Sequence, residues 1–259
     1  ESGLALPHSV IPITTKQDNS YQIDLAFLPK LKSKNQGFQV ILTAIEITSR
    51  YAYAYKSKDK SSNSITDLIH KFIEEAEPRV ITSDNGSEFI SKGAQKLFKL
   101  FKISHNLAEP EDHHKLGMIE RFNRTLKDRL AYRMTQRGHP IWYDILDEEV
   151  RDYNESYHRG VKAKPVDMVG KKLDKHRRDN ALRTNILLES RQSFAIGDKV
   201  RLKNKKDLFE KGASRYSEEV YSISDISLNN SSYRLRNAEG NLLKRVAKYE
   251  DLLLTKDEP

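Results

Sequence analysis

The spacing of apolar and polar positions predicts that roughly the first 165 residues combine strands with helices. Three strand patterns come first and favour an antiparallel meander; they occupy 20–28, 37–48 and 50–58. Helical periodicity follows and alternates with short strand patterns. The predicted helices are 61–76, 93–103, 119–134 and 142–157, and the short strands are 78–84 and 104–108. This order predicts an α/β domain with a mixed sheet.

A second region of different character follows Pro165, where the first pattern stops. Short strand patterns separated by Gly, Asn and Ser turns predict a small all-β barrel or open sandwich. These strands are 193–203, 216–227, 231–240 and 241–247. The predicted organisation is an N-terminal extension (1–18), an α/β domain (19–165), a basic connector (166–192) and an all-β domain (193–256).

Charge adds a class of partner to this picture. The 259 residues include 45 Lys+Arg against 37 Asp+Glu, a net charge of +8, which favours an anionic partner such as nucleic acid. Residues 164–206 include thirteen basic and five acidic residues, so the excess of positive charge in this segment equals that of the whole chain. A solvated linker and a surface that binds DNA phosphates both explain this excess.

The sequence also argues against cysteine-based sites, membrane spans and a signal peptide. The chain has no cysteine, so it contains neither disulfides nor thiolate zinc sites. No apolar run approaches the roughly 18–20 residues of a membrane span. No signal-peptide pattern opens the sequence either, and we expect a soluble protein without a membrane partner.

Three acidic residues stand out from these patterns. Asp24 lies between Ile23 and Leu25 in a predicted strand, where a charge is costly unless it is paired or bound to a cation. Asp84 ends a predicted buried strand, and Glu120 lies on the polar face of a predicted helix. Strand-end acids of an α/β sheet converge at one edge, so the three carboxylates can meet there. Such a cluster suits Mg²⁺ or Mn²⁺, and beside a basic surface it indicates phosphodiester chemistry.

Two of these acids also have simpler explanations. In "SDNGSEF" (83–89), Asp84 is a good first residue of an Asp-Asn-Gly turn. Glu120 and Arg124 are spaced i,i+4, which allows a surface ion pair worth only ~0.2–0.5 kcal/mol. Sequence alone leaves both explanations open.

The contexts of the three acids resemble a known family. Asp24 in its strand, Asp84 in "TSDNGSEF" and Glu120 in "GMIERFNRTLK", with thirty-five residues between the last two, resemble the Asp-Asp-Glu (DDE) triad of retroviral-type integrases. Two further segments, "YNESYHRGVKAKP" (153–165) and "LFEKGASRYSEEVYSI" (208–223), are most similar to integrases of Polinton/Maverick elements and their virus relatives. Gypsy-type retrotransposon integrases come next. The resemblance covers roughly residues 20–255.

This resemblance implies a ribonuclease-H-like catalytic core followed by a chromodomain-like or SH3-like barrel. It implies metal-dependent 3′-end processing and strand transfer of a mobile-element or viral DNA end into target DNA. Asp24 would be shared by two Mg²⁺ or Mn²⁺ ions per active site, whereas Asp84 and Glu120 would each hold one. No covalent enzyme intermediate is needed.

DNA contacts and partners are implied in the same way. Asn123, Arg124 and Lys127 match helix positions that face element-end DNA, and Ser87 matches a position near target DNA. Among the basic residues of 164–206, we expect phosphate contacts from Lys203, Lys205 and Lys206. The resemblance further implies a dimer or tetramer on DNA, chromatin as an additional partner, and a location in a eukaryotic nucleus or in a virion before entry.

The chain departs from the family pattern in two places. Leu116 replaces the usual Gln, and His113-His114-Lys115 replaces the common Pro-Xaa-Gln approach to the catalytic helix. Whether His113 and His114 contact DNA or metal therefore stays open.

The family's His-His-Cys-Cys zinc domain cannot be supplied without cysteine, so we expect either a zinc-free variant or a piece of a longer protein. Two alternative functions also remain. A domesticated integrase descendant would bind DNA or chromatin without cutting it, and a ribonuclease-H-like nuclease would hydrolyse DNA without joining it.

Overall fold

The computed structural model describes residues 15, 17–108, 115–189, 194–204, 216–226, 232–244 and 246–256. They fall into two compact units, one within 12–185 and the other within 186–259. The expectations for His113, His114, Lys205 and Lys206 concern residues outside this described part.

The larger unit contains a five-stranded mixed sheet. Its strands are β1 (Ser20–Phe27), β2 (Val40–Glu46), β3 (Ala52–Ser57), β4 (Val80–Ser83) and β5 (Ser104–Leu107). Their order in the sheet is β3-β2-β1-β4-β5. The first three strands pair antiparallel, whereas β4 runs parallel to β1 and β5 runs parallel to β4. The predicted meander and the predicted mixed sheet are both confirmed.

Five helices accompany the strands among the described residues. They are α1 (Ser62–Ala76), α2 (Lys92–Leu100), α3 (Gly117–Arg137), α4 (Leu146–Glu155) and α5 (Gly170–Glu189). The hydroxyls of Ser61 and Ser91 cap the first turns of α1 and α2 by accepting bonds from backbone N–H groups. At Gly138, a left-handed φ of 72° ends α3. None of the described helices is both long and apolar enough to cross a membrane.

The two faces of the sheet are covered by different helices. Side chains of a strand alternate between faces, so Ile23 packs in one core cluster with Phe72 of α1, whereas Ala26 packs in another with Ile119 of α3. Asp24 has the same parity as Ala26 and therefore faces α3. This alternation puts the unusual acid of β1 beside the helix that carries Glu120.

The segment expected to be a basic connector contains a helix. Most of it forms α5, and the boundary between the compact units, at 185/186, falls within it. The inward side of α5 is polar as well as apolar; its half-buried positions are Leu173, His176, Arg177, Asn180 and Thr184. Arg177 also forms ion pairs with Asp18 and Asp174. Because this inward stripe carries few apolar residues, hydrophobic periodicity did not reveal the helix.

The smaller unit is an antiparallel sheet. Its strands are β6 (Lys199–Lys203), β7 (Tyr216–Ile226), β8 (Ser232–Arg236), β9 (Ala247–Lys248) and β10 (Leu252–Leu254), in the order β10-β6-β7-β8-β9. Phe194, Val200, Ile223 and Leu235 belong to its core. The predicted second, all-β sheet is thus present. The strand expected at 241–247 is replaced by an isolated bridge at Leu242 and by the short β9, while β10 was not predicted.

Candidate active site

Asp24 is held in place on both sides of its carboxylate. Its Oδ1 accepts a 2.7 Å hydrogen bond from the backbone N–H of Leu25, and its Oδ2 accepts a 2.8 Å bond from Nδ2 of Asn123 on α3. Asn123 is only 7% exposed, and its Oδ1 accepts a 2.7 Å bond from the Thr43 hydroxyl on β2. The carboxylate of Asp24 is therefore oriented by its own strand and by α3 together.

Gln22 fastens the start of α3 to the same strand. It lies two residues before Asp24, on the same face of β1, and its side chain is fully buried. Its Nε2 donates a 2.8 Å bond to the carbonyl of Lys115, and its Oε1 accepts a 3.0 Å bond from the backbone N–H of Ile119. These two bonds set the position of the first turn of α3, which carries Glu120.

Asp84 comes directly after β4, the parallel neighbour of β1. The register pairs Ser20 with Val80 and Gln22 with Thr82, so Asp84 follows the paired residues at the level of Asp24. Its carboxylate is exposed and accepts a 3.0 Å bond from the Gly86 amide.

The absence of a side chain at position 86 leaves room for this close approach. A Cβ added to Gly86 would lie 3.0 Å from Oδ1 of Asp84 and 3.1 Å from Oε1 of Glu88. The predicted Asp-Asn-Gly turn is therefore formed, and its close contact brings a backbone amide against the carboxylate of Asp84.

Glu120 is exposed in the first turn of α3, one turn before Asn123. Among the ion pairs between described residues, none joins Glu120 to Arg124. The simple surface pair considered from the sequence is thus not formed. This arrangement leaves the Glu120 carboxylate available to the site.

The three acids are close enough to influence one another. The pKa of Asp24 is raised to about 6, chiefly by burial and also by the charges of Asp84 and Glu120, while the bonds from Leu25 and Asn123 act in the opposite direction. A half-buried carboxylate that two other carboxylates disfavour is the electrostatic setting that a cation relieves.

The donor set fits Mg²⁺ or Mn²⁺. All three side chains offer hard oxygen ligands, and none of the ion pairs found among the described residues involves any of them. In the described part of the chain, no group of three His, Cys, Asp or Glu side chains is placed ready to hold a metal ion. The fit of Asp24, Asp84 and Glu120 to the metal is therefore one of ligand chemistry.

The residues expected to contact DNA occupy different environments. Arg124 and Lys127 are exposed on the same side of α3 as Glu120, at i+4 and i+7 from it. Ser87 is exposed and lies three residues after Asp84. Its hydroxyl donates a 3.3 Å bond to the Glu88 carboxylate.

Two other expected DNA contacts are placed differently. Asn123 is buried, and its amide already bonds Asp24 and Thr43, so its place is that of a positioning residue. In the smaller unit, Lys203 ends β6 and is half-buried. Phosphate binding by Lys203 stays a prediction, as it does for Lys205 and Lys206 outside the described residues.

Sequence reasoning missed two polar side chains that support the site. Gln22 carried a usable signal, because it is a polar residue two positions before Asp24 in an otherwise apolar strand. His105 of β5 carried none. Its bond to Ser83, the last residue of β4, depends on the pairing of β4 with β5.

Sequence comparison relates the segment that carries Asp24 and Asp84 to a known domain family. Residues 14–113 match the integrase core domain. The chain is 33% identical over 198 residues to an uncharacterised transposon-derived protein of Caenorhabditis elegans, covering 75% of this chain and 65% of that protein. It is 30% identical over 122 residues to the Gag-Pol polyprotein of feline leukemia virus, covering 45% of this chain and 7% of the polyprotein. The chain thus spans just under two thirds of the worm protein and a small part of the viral polyprotein.

Solved integrase structures share the fold. A chain of the simian T-cell lymphotropic virus intasome, in complex with PP2A regulatory subunit B56 gamma, matches with a TM-score of 0.65 at 13% identity, covering 95% of this chain and 82% of that one. The catalytic core domain of BIV integrase matches with a TM-score of 0.50 at 21% identity, covering 63% and 99%. The predicted ribonuclease-H-like fold is confirmed. At these identities, the two structural matches concern the fold alone.

Proposed function

We propose that this protein is a DNA integrase that carries out metal-dependent 3′-end processing and strand transfer. The observation that carries the proposal is the mutual influence of three carboxylates, from β1, from the end of β4 and from the first turn of α3. Basic side chains on the same side of α3, Arg124 and Lys127, are exposed beside the acid of that helix. Acids that suit a metal, next to bases that suit phosphate, fit phosphodiester chemistry.

Each side chain has a role that follows from its contacts. Asp24, Asp84 and Glu120 would hold the Mg²⁺ or Mn²⁺, which when bound activates the attacking oxygen and stabilises the leaving oxygen. Asn123 keeps the Asp24 carboxylate aimed at the site, and the Gly86 amide does so for Asp84.

The basic side chains bind the DNA. Arg124 offers a planar fork of donors to phosphate oxygens, and Lys127 offers a point charge.

In this proposal the protein acts on the DNA ends of a mobile element or virus, with two ions per site and as a dimer or tetramer on DNA. The segments 153–165 and 208–223 support an origin among Polinton/Maverick elements and their virus relatives, with gypsy-type elements next. Chromatin as a further partner, and a nuclear or virion location, belong to the same proposal.

A joining assay tests the function. A labelled oligonucleotide with the terminal sequence of the encoding element is incubated with supercoiled plasmid and Mg²⁺, using the wild-type protein and the Asp84→Asn variant. We expect the wild type to link the two DNAs, and Asp84→Asn to bind DNA without processing or joining it. Asp67→Asn, which changes an exposed acid of α1 on the other face of the sheet, is the matched control and should join normally.

Three results would overturn the proposal. Nicking of plasmid without joining would indicate a nuclease, and binding without either reaction would indicate a domesticated DNA-binding descendant. Joining by Asp84→Asn at the wild-type rate would remove Asp84 from the site.

A further inference from the structure

Both ring nitrogens of His105 on β5 take part in hydrogen bonds. Nε2 lies 2.9 Å from the hydroxyl oxygen of Ser83, and Nδ1 lies 2.9 Å from Nε2 of Gln95 on α2. The Ser83 hydroxyl donates a 2.7 Å bond to the carbonyl of Asp84, and the Gln95 amide donates a 2.8 Å bond to the carbonyl of Phe89. The Gln95–His105–Ser83 relay thus joins the carbonyls at the two ends of segment 84–89.

The carbonyls at these two ends determine the direction of every bond in the relay. A carbonyl only accepts, so the single hydroxyl hydrogen of Ser83 is used on Asp84, and the Ser83 oxygen must accept from Nε2–H of His105. At the other end, the bond to Phe89 orients the Gln95 amide, whose second hydrogen then points to Nδ1 of His105. The Ser83 end requires a proton on Nε2, and the Gln95 end requires an unprotonated Nδ1. Together they specify a neutral ring that carries its proton on Nε2.

We propose that His105, as its neutral Nε2–H tautomer, is a positioning residue that holds the Asp84 segment in place through Ser83. This inference rests on the proposed function, because Asp84 is one of the three acids of that site.

The position of Asp84 depends on how its backbone segment is held. Its exposed carboxylate accepts one bond, from Gly86 within the same segment, so its placement depends on the backbone of 84–89. Ser83 is fully buried and Phe89 nearly so, so the two residues at the ends of the relay are held by the surrounding core. The ring of His105 also packs on Phe98 of α2, with centroids 4.7 Å apart. Burial lowers the pKa of His105, in agreement with a neutral ring.

The tautomer can be measured without metal or DNA. Long-range ¹H–¹⁵N NMR correlations of protein labelled at histidine distinguish a protonated Nε2 from a protonated Nδ1. We expect His105 to show Nε2–H at neutral pH. The Nδ1–H tautomer would contradict both ends of the relay, and a doubly protonated ring would contradict the Gln95 end. Either result would overturn the proposal.

Two substitutions of His105 separate positioning from packing. The terminal nitrogen of His105→Gln reaches the place of Nε2 and donates to Ser83, whereas the shorter His105→Asn reaches only the place of Nδ1 and leaves Ser83 without its donor. Both variants lose the ring contact with Phe98. Ser83→Ala breaks the same link from the other side.

We expect His105→Asn and Ser83→Ala to lower joining by ~10–100-fold, the usual effect of losing a group that orients a metal ligand. Both should also require more Mg²⁺ for a given thermal shift and exchange the Gly86 amide hydrogen faster. His105→Gln should remain within about 3-fold of wild type in joining. Equal losses in both His105 variants would mean that the ring acts by packing alone, and would overturn the proposal.

The failure of this inference is distinguishable from failure of the proposed function. If the wild type joins DNA and His105→Asn joins equally well, the relay fails and the function stands. If the wild type does not join DNA, the function fails. In that case, three measurements still test the relay: the His105 tautomer, the Mg²⁺-dependent thermal shift and the exchange rate of the Gly86 amide hydrogen.

Discussion

The two sides of the candidate active site are built differently. On the buried side, Asp24 receives one bond from its own strand and one from Asn123, whose amide is itself bonded to Thr43. On the exposed side, Asp84 is oriented by a neighbouring amide, and Glu120 lies on the surface of the first turn of α3. One acid is thus pre-organised, while the other two keep more freedom to meet a cation and DNA.

The difference has an energetic consequence. Burial and the two neighbouring carboxylates disfavour the charged form of Asp24, so the folded protein without metal bears an electrostatic cost at neutral pH. A bound cation removes that cost. In the proposed function, stability at the buried acid would thus be lowered in favour of cation binding, as is common at functional sites.

The largest expected effect is a fall in stability with pH in the absence of metal. The pKa of Asp24 rises from 3.8 to about 6 on folding, so its contribution is favourable at low pH and is lost as pH rises from about 4 through 6. The difference between pH 4 and pH 8 is at most ~3 kcal/mol for this one group. Urea unfolding in EDTA across this range measures it.

Two further measurements separate the contribution of Asp24 from those of other titrating groups. Mg²⁺ should restore most of the lost stability above pH 6, and Glu120→Gln, which removes one of the neighbouring charges, should reduce the pH dependence. A free energy of unfolding that rises steadily from pH 4 to pH 8 in both proteins would contradict the comparison.

Asn123→Ala tests the orientation of the buried acid. The substitution removes the side-chain donor to Asp24 and the shorter of the two hydrogen bonds within reach of the Thr43 hydroxyl. Joining should therefore fall by ~10–100-fold while Arg124 and Lys127 still bind DNA. Joining rates and DNA binding of the same preparation check this. If DNA binding falls instead and the reaction of the bound DNA is unchanged, Asn123 belongs with the DNA contacts.

Lys127→Ala should have the smallest effect. An ammonium cannot ligate a cation, so the Mg²⁺-dependent thermal shift should be unchanged. Element-end binding should weaken, and its dependence on salt should decrease by about 0.9 in logarithmic slope for one lost phosphate contact. Binding measured at several salt concentrations decides; an unchanged slope would show that Lys127 is merely solvated.

The general fold and the three acids could be predicted because their signals are local. A charge between Ile23 and Leu25 is costly wherever the strand lies, and the contexts of Asp84 and Glu120 are contiguous in the chain. Period-two alternation also places Asp24 on one definite face of the sheet.

What could not be predicted depends on contacts between distant segments. The burial of Asn123 depends on the packing of α3 against the sheet, where Asn123 bonds Asp24 and Thr43. The role proposed for His105 requires β5 to pair with β4. Helix α5 was not predicted because its inward side carries few apolar residues. None of these features leaves a periodic pattern in the sequence.

The central claim is that Glu120 serves the site as a metal ligand, and one substitution tests it directly. Gln has the shape of Glu but not its charge, so Glu120→Gln should join DNA at least ~1000-fold more slowly than the wild type in Mg²⁺. Because a repelling charge is removed from beside Asp24, the metal-free fold should be equally stable or slightly more stable. A Glu120→Gln protein that joins labelled element-end DNA to plasmid at the wild-type rate would contradict the claim.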